Sequence, residues 1–566
     1  MAIYQQSPGV QVVEKDTSAV TVGLSTTIGA YVGAFTNGPV MSPMLISNEG
    51  ELVQVFGAPN DDTASHFFAA ANFLSYTNAM WVVRTVGATA SNATVSGTPL
   101  LISNYDDYVD NHSDGVVTWG QFAARYPGSK YNGLKISIAD SATFATWEYK
   151  QYFSAAPGTS DFATGKGGSD DELHVIVIDA LGKFSGTAGS VLEKYEFLSK
   201  ASDAISYQGM SNYYVTVLSN HSQYVYWLSH DLDGTNWGTT AANTTFALLT
   251  LNPLNPLAPA DLIFTISGGV DDDIVTEGEM QLGWDLFLDS QTYDISLLVS
   301  GNASETLSAY VVNNIADVRR DCVAFTSISK AGSPIFGTSP TRITDAKAFK
   351  TFDSSYAVID SGYKYMYDKY NDKYRWIALN ADTAGLCAKV DATNDTWSSP
   401  AGMTKGQIKG AVKLSWNPTL AERDQLYPAA INPIINQVGK GTILFGDKTA
   451  TTKPSAFDRI NVRRLFLILE KSISNSAKYQ LFELNDAITR LQFVASVEPF
   501  LRDVKGRRGV QDFKVICDET NNTPQVVATN NFVGTILIRP NYSINFITLN
   551  FVAVGPNVTF EVAATV

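Results

Sequence analysis

Cysteine and histidine are scarce in this 566-residue chain, and their spacing excludes more than their number does. The three cysteines, Cys322, Cys387 and Cys517, are far apart, odd in number and form no CxxC pair. A disulfide framework is therefore excluded, and a reduced compartment with the thiols as small core residues is the simplest account. The five histidines, His66, His112, His174, His221 and His230, show neither HExxH nor any other metal-ligand spacing. No stretch approaches the ~20 consecutive apolar residues that span a bilayer. Met1–Pro8 has no cationic or apolar signal region, so a secretory leader is not expected there. A G-x-S-x-G elbow is missing, and no repeat of solenoid period occurs.

Two segments imitate ligand sites and fall short. Gly441-Thr442-Ile443-Leu444-Phe445-Gly446-Asp447-Lys448-Thr449 resembles a phosphate-binding loop, but Asp447 separates the second glycine from the lysine. The extra residue shifts Lys448 out of register, and its carboxylate would repel phosphate, so a turn after a strand is expected. Asp231-Leu232-Asp233-Gly234-Thr235-Asn236 begins like a calcium loop but has no glutamate at the twelfth position. Asp271-Asp272-Asp273 reads as an exposed turn before a helix over Thr276–Leu288, where acidic residues complement the helix dipole. No paired carboxylates are singled out by spacing. Catalytic residues, cofactor and metal ligands are accordingly not expected.

What the chain does have is apolar material for sizeable cores and a strongly uneven charge. The net charge is −15. From residue 401 onward there are 19 Lys/Arg against 13 Asp/Glu, which leaves 21 against 42 in residues 1–400. The two parts meet different surroundings, and the basic part could face an anionic surface. No RNA-recognition or helix-turn-helix signature accompanies it, and an acidic protein serves as well as nucleic acid. The basic part contains Phe457-Asp458-Arg459-Ile460-Asn461-Val462-Arg463-Arg464-Leu465. Val462, Leu465, Phe466, Leu469 and Ile473 recur at the spacing of one buried helix face. Arg459, Arg463, Arg464 and Lys471 largely avoid that stripe and are expected to face water or a partner.

The length suggests three to four domains. Ile28, Ala30, Val32 and Ala34 alternate as a half-buried strand. A helix through Phe67, Phe68, Ala71 and Leu74 and a strand over Trp81–Val86 complete a small α/β piece. Further strands are predicted at Leu134–Ile138, His174–Ile178, Tyr213–Leu218, Ile295–Val299 and Cys322–Thr326, with a helix near Val191–Ala204. Ala331–Thr341 reads as a return linker. Near the end, helices are predicted over Ile460–Ile473 and Leu481–Leu491, then strands around Phe513–Cys517 and Phe532–Ile538. Ile544–Val554 alternates as an apolar strand with one slip between Phe546 and Ile547.

A long ordered series of segments carries a family resemblance. It includes Asp360-Ser361-Gly362-Tyr363-Lys364-Tyr365, Tyr367-Asp368-Lys369-Tyr370-Asn371-Asp372, Ala384-Gly385-Leu386-Cys387-Ala388 and Ala430-Ile431-Asn432-Pro433. It continues through Gly446–Ala450, Phe457–Leu465, Lys478–Asn485, Cys517-Asp518 with Asn521–Pro524, and Ser543–Val552. Sparser agreement in the first half includes Pro8-Gly9-Val10, Val82-Val83-Arg84, Ala124–Gly128 and Arg320-Asp321-Cys322. The chain resembles the contractile tail sheath proteins of myoviruses, those of T-even-like bacteriophages in particular. One departure stands out. Only ~40 residues separate Val86 from Arg125, too few for the additional outermost domain of the longest members.

The resemblance implies an α+β, multidomain subunit without enzymatic activity. Residues 1–22 would form an N-terminal arm and 541–566 a C-terminal strand or arm. Residues 23–88 with 345–540 would form the inner core, with 457–540 towards the tube, and 89–344 an outer protruding region. The arms would add strands to neighbouring subunits, with Val10, Val12, Ile544, Phe546, Ile547, Leu549 and Phe551 as inter-subunit strand candidates. Arg459, Arg463, Arg464, Lys471, Lys478, Arg502, Lys505, Arg507 and Arg508 are the tube-facing candidates. Implied partners are other copies in six-fold rings, the tail tube protein, and baseplate and tail terminator proteins, with no direct nucleic acid and no membrane. The subunit would be made in the host cytoplasm and end in the virion tail. It would contract from a metastable extended state. Two alternatives stay open: the sheath of another contractile device such as a pyocin-like particle, and a nucleotide-binding motor using Gly441–Thr449.

Overall fold

The computed structural model describes residues 27–230, 234–249, 262–545 and 547. Its centre is a seven-stranded sheet. Across the sheet the strands run Ile431–Asn432, Ala357–Asp360, Val323–Ser327, Leu297–Val299, Gly29–Ala34, Met80–Thr85 and Met44–Ile46. All pairs are parallel except the last, where Met44–Ile46 runs antiparallel to Met80–Thr85. Parallel strands need covered faces, and both faces are covered here. Ala30, Val32, Val83, Leu298 and Ile359 point into one core with Trp284 and Phe287. Tyr31, Val82, Leu297, Val299 and Phe325 point into the other, under the helices Ala64–Leu74 and Asn380–Thr393. The alternation at Ile28–Ala34 therefore marks a fully buried central strand and not a half-buried one, since all six residues of Gly29–Ala34 are buried.

Between Thr85 and Glu277 the chain leaves this sheet and builds a second body. A four-stranded antiparallel sheet orders its strands Ser190–Ser199, Glu172–Asp179, Leu134–Ala139 and Leu262–Thr265. It closes its own core, with Ile136, Val175, Val177, Tyr214, Leu218 and Trp227 buried together. Two expectations reverse here. The stretch near Val191–Ala204 is a strand, Ser190–Ser199, and not a helix. Tyr213–Leu218 is a helix, Tyr214–His221, and not a strand.

The expected division at residue 344 also moves. Leu297–Val299 and Val323–Ser327, assigned by sequence to the outer region 89–344, are interior strands of the central sheet. They pair directly with Gly29–Ala34 and Ala357–Asp360, so no separate body can contain them. The inserted body ends where Asp271–Asp273 meets the helix Glu277–Asp285, which Thr276 caps in a capping box.

The last layer packs the helices Ile460–Ala477 and Ala487–Gly506 under an antiparallel hairpin of Val510–Ile516 and Thr535–Pro540. Leu465, Leu469, Ile473, Phe493, Val497, Phe500 and Leu501 form its core. The second helix begins at Ala487, with Asp486 accepting from the Thr489 amide at 2.8 Å, so Leu481–Asp486 is a loop and not the expected helical turn. Val10, Val12, Phe546, Leu549 and Phe551 lie outside the described residues, as do Asp231–Asp233.

Candidate functional site

Open parallel sheets bind ligands at the carboxyl ends of their strands. That rim is filled here by the chain's own side chains. Asn380, at the start of a helix, donates from Nδ2 to the Gly301 carbonyl at 2.7 Å and accepts from the Gly301 amide at 3.1 Å. Its own amide donates to Ser327 Oγ at 2.8 Å. Asp360 accepts from Ser327 Oγ at 3.0 Å and from the Gly362 amide at 3.1 Å. Burial pushes the Asp360 carboxyl up to about 8, against these hydrogen bonds. Lys364 and Asp382 pair at 2.9 Å beside it, both buried. Such a buried polar network rigidifies a core.

The phosphate-loop imitation is structural as well. Gly441–Leu444 is a strand paired antiparallel with Ile434–Gln437. Lys448 donates to the Tyr427 carbonyl at 3.0 Å, and its ammonium lies 4.6 Å from that ring's centroid.

The cationic helix differs most from expectation. Arg463 and Arg464 are buried, 5% and 2% exposed, and do not face water. Arg464 pairs with Asp391 and donates to the Cys387 carbonyl at 3.2 Å. Arg463 lies 3.9 Å from the Phe457 ring centroid and 4.2 Å from that of Tyr356, and donates to Ser355 Oγ at 2.8 Å. The reason is that this helix has two partners. Ile460 and Leu467 enter the central core while Leu465, Leu469 and Ile473 enter the terminal one. A helix wedged between layers buries cations off the apolar stripe if carboxylates and rings meet them. Arg459 is largely covered and meets Asp447 and Asp458. Lys471 pairs with Asp294.

The other basic candidates are exposed. Arg502 pairs with Glu498 at 2.7 Å, Lys505 with Asp512 at 2.8 Å, and Arg507 with Asp395. Lys478 and Arg508 are exposed too. Arg502 and Lys505 share one stripe of the helix Ala487–Gly506 with Ile488 and Leu491, opposite Phe493, Val497 and Val504. The stripe continues into the preceding loop, where Tyr479, Leu481, Phe482 and Leu484 are all more than 60% exposed. The helical pattern over Leu481–Leu491 gives no sign of this exposed apolar end.

The terminal hairpin is a two-stranded sheet, so among the described residues both of its edges lack a paired strand. One face rests on the helices through Phe513, Val515, Ile536 and Ile538. Lys514, Leu537 and Arg539 point outward. Directly after it, Ile544 and Ile547 are 83% and 77% exposed.

The inserted body is attached differently. Arg84, fully enclosed, donates to the carbonyls of Phe35 at 2.7 Å and Gly38 at 2.9 Å in the central body and Pro127 at 3.2 Å in the inserted one. The three aspartates expected to be an exposed turn each take a cross-link. Asp271 accepts from the Ser129 amide at 2.9 Å, Asp272 from Thr89 Oγ1 at 2.6 Å, and Asp273 from Asn60 Nδ2 at 3.0 Å.

Comparison with known proteins agrees along the whole chain. Residues 275–450 match the phage tail sheath protein central domain and 452–553 the phage tail sheath C-terminal domain. The tail sheath protein of Enterobacteria phage T4 is 32% identical, with 98% of each chain covered. That of Vibrio phage KVP40 is also 32% identical, with 98% of this chain and 99% of the relative covered. Among solved structures, a sheath tail protein of Listeria innocua aligns with a TM-score of 0.53 at 11% identity, covering 92% of this chain and 97% of that one. The sheath of an extracellular contractile injection system in its contracted state aligns with a TM-score of 0.50 at 12% identity, covering 97% and 98%.

Proposed function

The chain belongs to the phage tail sheath protein family, and from that premise we propose how its layers divide the work. It is the structural subunit of a contractile tail sheath, a component of the virion tail that assembles with copies of itself. The comparisons favour no nucleotide-driven motor, and Lys448 is held inside the subunit by Tyr427. The finer reading is that subunits polymerise as six-fold rings around a tail tube, from a baseplate to a terminator, and contract from a metastable extended state.

The observation that carries this reading is the hairpin, both of whose edges are open among the described residues. A lone two-stranded sheet is marginal in water, and an open edge is a template for another chain. Strand addition gives main-chain hydrogen bonds that depend little on side-chain identity. The hairpin is thus the acceptor, and residues 1–22 and the segment beyond Asn545 are the donors, each serving another copy. Copies linked this way stay connected while bodies rotate against one another.

The tube contact falls to a smaller set than the sequence suggested. Arg463 and Arg464 hold the subunit together, so the exposed stripe from Tyr479 and Leu481 through Leu491 to Arg502 and Lys505 is the tube-facing surface. Its basic end steers an acidic partner, and its apolar end supplies contact area. The inserted body points away from the tube.

The test is truncation. A chain lacking residues 1–22, and another ending at Asn545, should remain folded by circular dichroism and form no long tubes by negative-stain microscopy. Normal tubes from both would refute the arm assignment.

A further inference from the structure

Asp447 was notable in the sequence only for spoiling a phosphate loop. In the folded chain it is 2% exposed and collects donors from four separate segments. Ser399 Oγ donates at 3.1 Å, Tyr427 OH at 3.2 Å and Arg459 Nη1 at 3.4 Å. The remaining donors come from the far end of the chain: Ser543 Oγ at 2.6 Å and Asn545 Nδ2 at 2.8 Å. Tyr427 OH accepts from Asn545 Nδ2 at 2.8 Å and from Arg459 Nη1 at 2.8 Å. Ser543 and Asn545 sit on one side of an extended segment, and Ile544 between them is exposed. Just upstream, the Asn541 side chain donates to the Arg508 carbonyl at 2.7 Å, where Arg508 adopts a left-handed φ of 66°.

The structure assigns Asp447, with Tyr427 and Arg459, a role as a clasp that fixes the point and direction in which the C-terminal segment leaves the subunit. Main-chain strand pairing alone does not fix register, since a slip of one residue keeps the ladder and inverts every side chain. A buried carboxylate that engages the segment at two alternate positions supplies that register at its root. The chemistry suits a fixed joint: charge-assisted hydrogen bonds are short and directional, and the desolvated carboxylate is costly to leave unpaired. Burial, and then the Asp447 carboxylate, push the Tyr427 phenol up to about 12, so it stays a neutral donor. The consequence for assembly rests on the strand-donation reading above, but the clasp exists in the free subunit and is testable there.

Chymotrypsin cleavage at Tyr542, which is 57% exposed, reads the clasp without any assembly. The double variant S543A/N545A leaves Asp447, Tyr427 and Arg459 in place and should be cut at least roughly tenfold faster, as expected when the three hydrogen bonds these side chains donate to Asp447 and Tyr427 are lost. Ser543→Thr keeps the hydroxyl and should be cut at the wild-type rate. Asn545→Asp sets a second carboxylate against Asp447 and should release the segment. The exchange D447N/N545D restores one amide and one carboxylate and should reprotect it. Equal cleavage of wild type and S543A/N545A, or no rescue by the exchange, would overturn the clasp. In microscopy, S543A/N545A should still join subunits but give short, irregular tubes, whereas loss of all association would show that the segment's pairing itself had failed. Regular long tubes from that variant, with faster cleavage confirmed, would overturn the register role.

Discussion

The inserted body and the terminal layer solve the same problem in opposite ways. Both contain an antiparallel sheet. The inserted one gives its strand Glu172–Asp179 a partner on each side, closes a core of its own, and is pinned to the central body by Arg84 and by the Asp273–Asn60 hydrogen bond. The terminal one stops at two strands and leaves both edges open among the described residues. The inserted sheet's outer strands Ser190–Ser199 and Leu262–Thr265 are edges as well, but a closed core and a pinned attachment suit a passenger that moves with the body beneath it. A sheet of two strands alone suits the connector proposed above. The association energy of a sheath is therefore expected to reside in the terminal layer, and the inserted body to be dispensable for it.

The largest effect should follow from removing a donor strand. A chain ending at Asn545 keeps the Asp447 contacts of Ser543 and Asn545 and loses only the proposed donor segment. Tube formation should fall below detection in negative-stain images while the melting temperature changes little. If tubes persisted, the open hairpin edges would have no role in assembly.

Next in size is the difference between buried and exposed cations. Arg464→Ala breaks a buried ion pair with Asp391 and should cost about 3–5 kcal/mol of stability, read as a lowered denaturation midpoint. Arg502→Glu, on the exposed stripe, should change stability by less than about 0.5 kcal/mol. It should nevertheless weaken co-sedimentation with tubes. A midpoint loss of similar size in both would remove the distinction between the two classes.

Asp360 gives a smaller, pH-dependent effect. Its carboxyl titrates near 8 in the folded chain and near 3.9 in the unfolded one. The folded state holds the proton more tightly, so this stabilising contribution is complete below about pH 4 and is lost as pH rises towards 8. Asp360→Asn cannot ionise and should flatten that part of the stability profile, measured by urea unfolding at pH 5 and 7.5. An unchanged slope would show that Asp360 is charged in the folded state.

The smallest effect on assembly should come from replacing residues 89–269 with a short Gly/Ser linker. The chain leaves and re-enters the core at one place, with the Gly87 amide 2.9 Å from the Asp272 carbonyl. Thinner tubes are expected, and a folded but non-assembling product would contradict the comparison.

The sequence made the central elements legible where one rule dominates. Gly29–Ala34, Ala64–Leu74 and Met80–Thr85 follow from alternation and helical spacing, although alternation could not reveal that both sheet faces are covered. Ser190–Ser199 reads as a helix because Val191, Lys194, Tyr195 and Leu198 fall at helix-like intervals. The strand is irregular, with register shifts opposite Leu173–Val175 and Val177–Ile178 that break its period of two. Tyr214–His221 looked like a strand through its β-branched residues, yet Tyr214 and Leu218 lie one turn apart in the inserted core. Tertiary packing overrode propensity there. Arg463 and Arg464 pattern as surface residues because helical spacing reveals one buried face and not the second. The role of Asp447 had no local signal, since Ser543 and Asn545 are nearly a hundred positions away.

The most direct test is a cryo-electron-microscopy reconstruction of the extended sheath at a resolution that traces main chain. Around Val510–Ile516 and Thr535–Pro540 the map should contain added strands at both hairpin edges, each traced to a different copy. A hairpin still two-stranded in the assembled particle, with both chain ends folded onto their own subunit, would contradict the account.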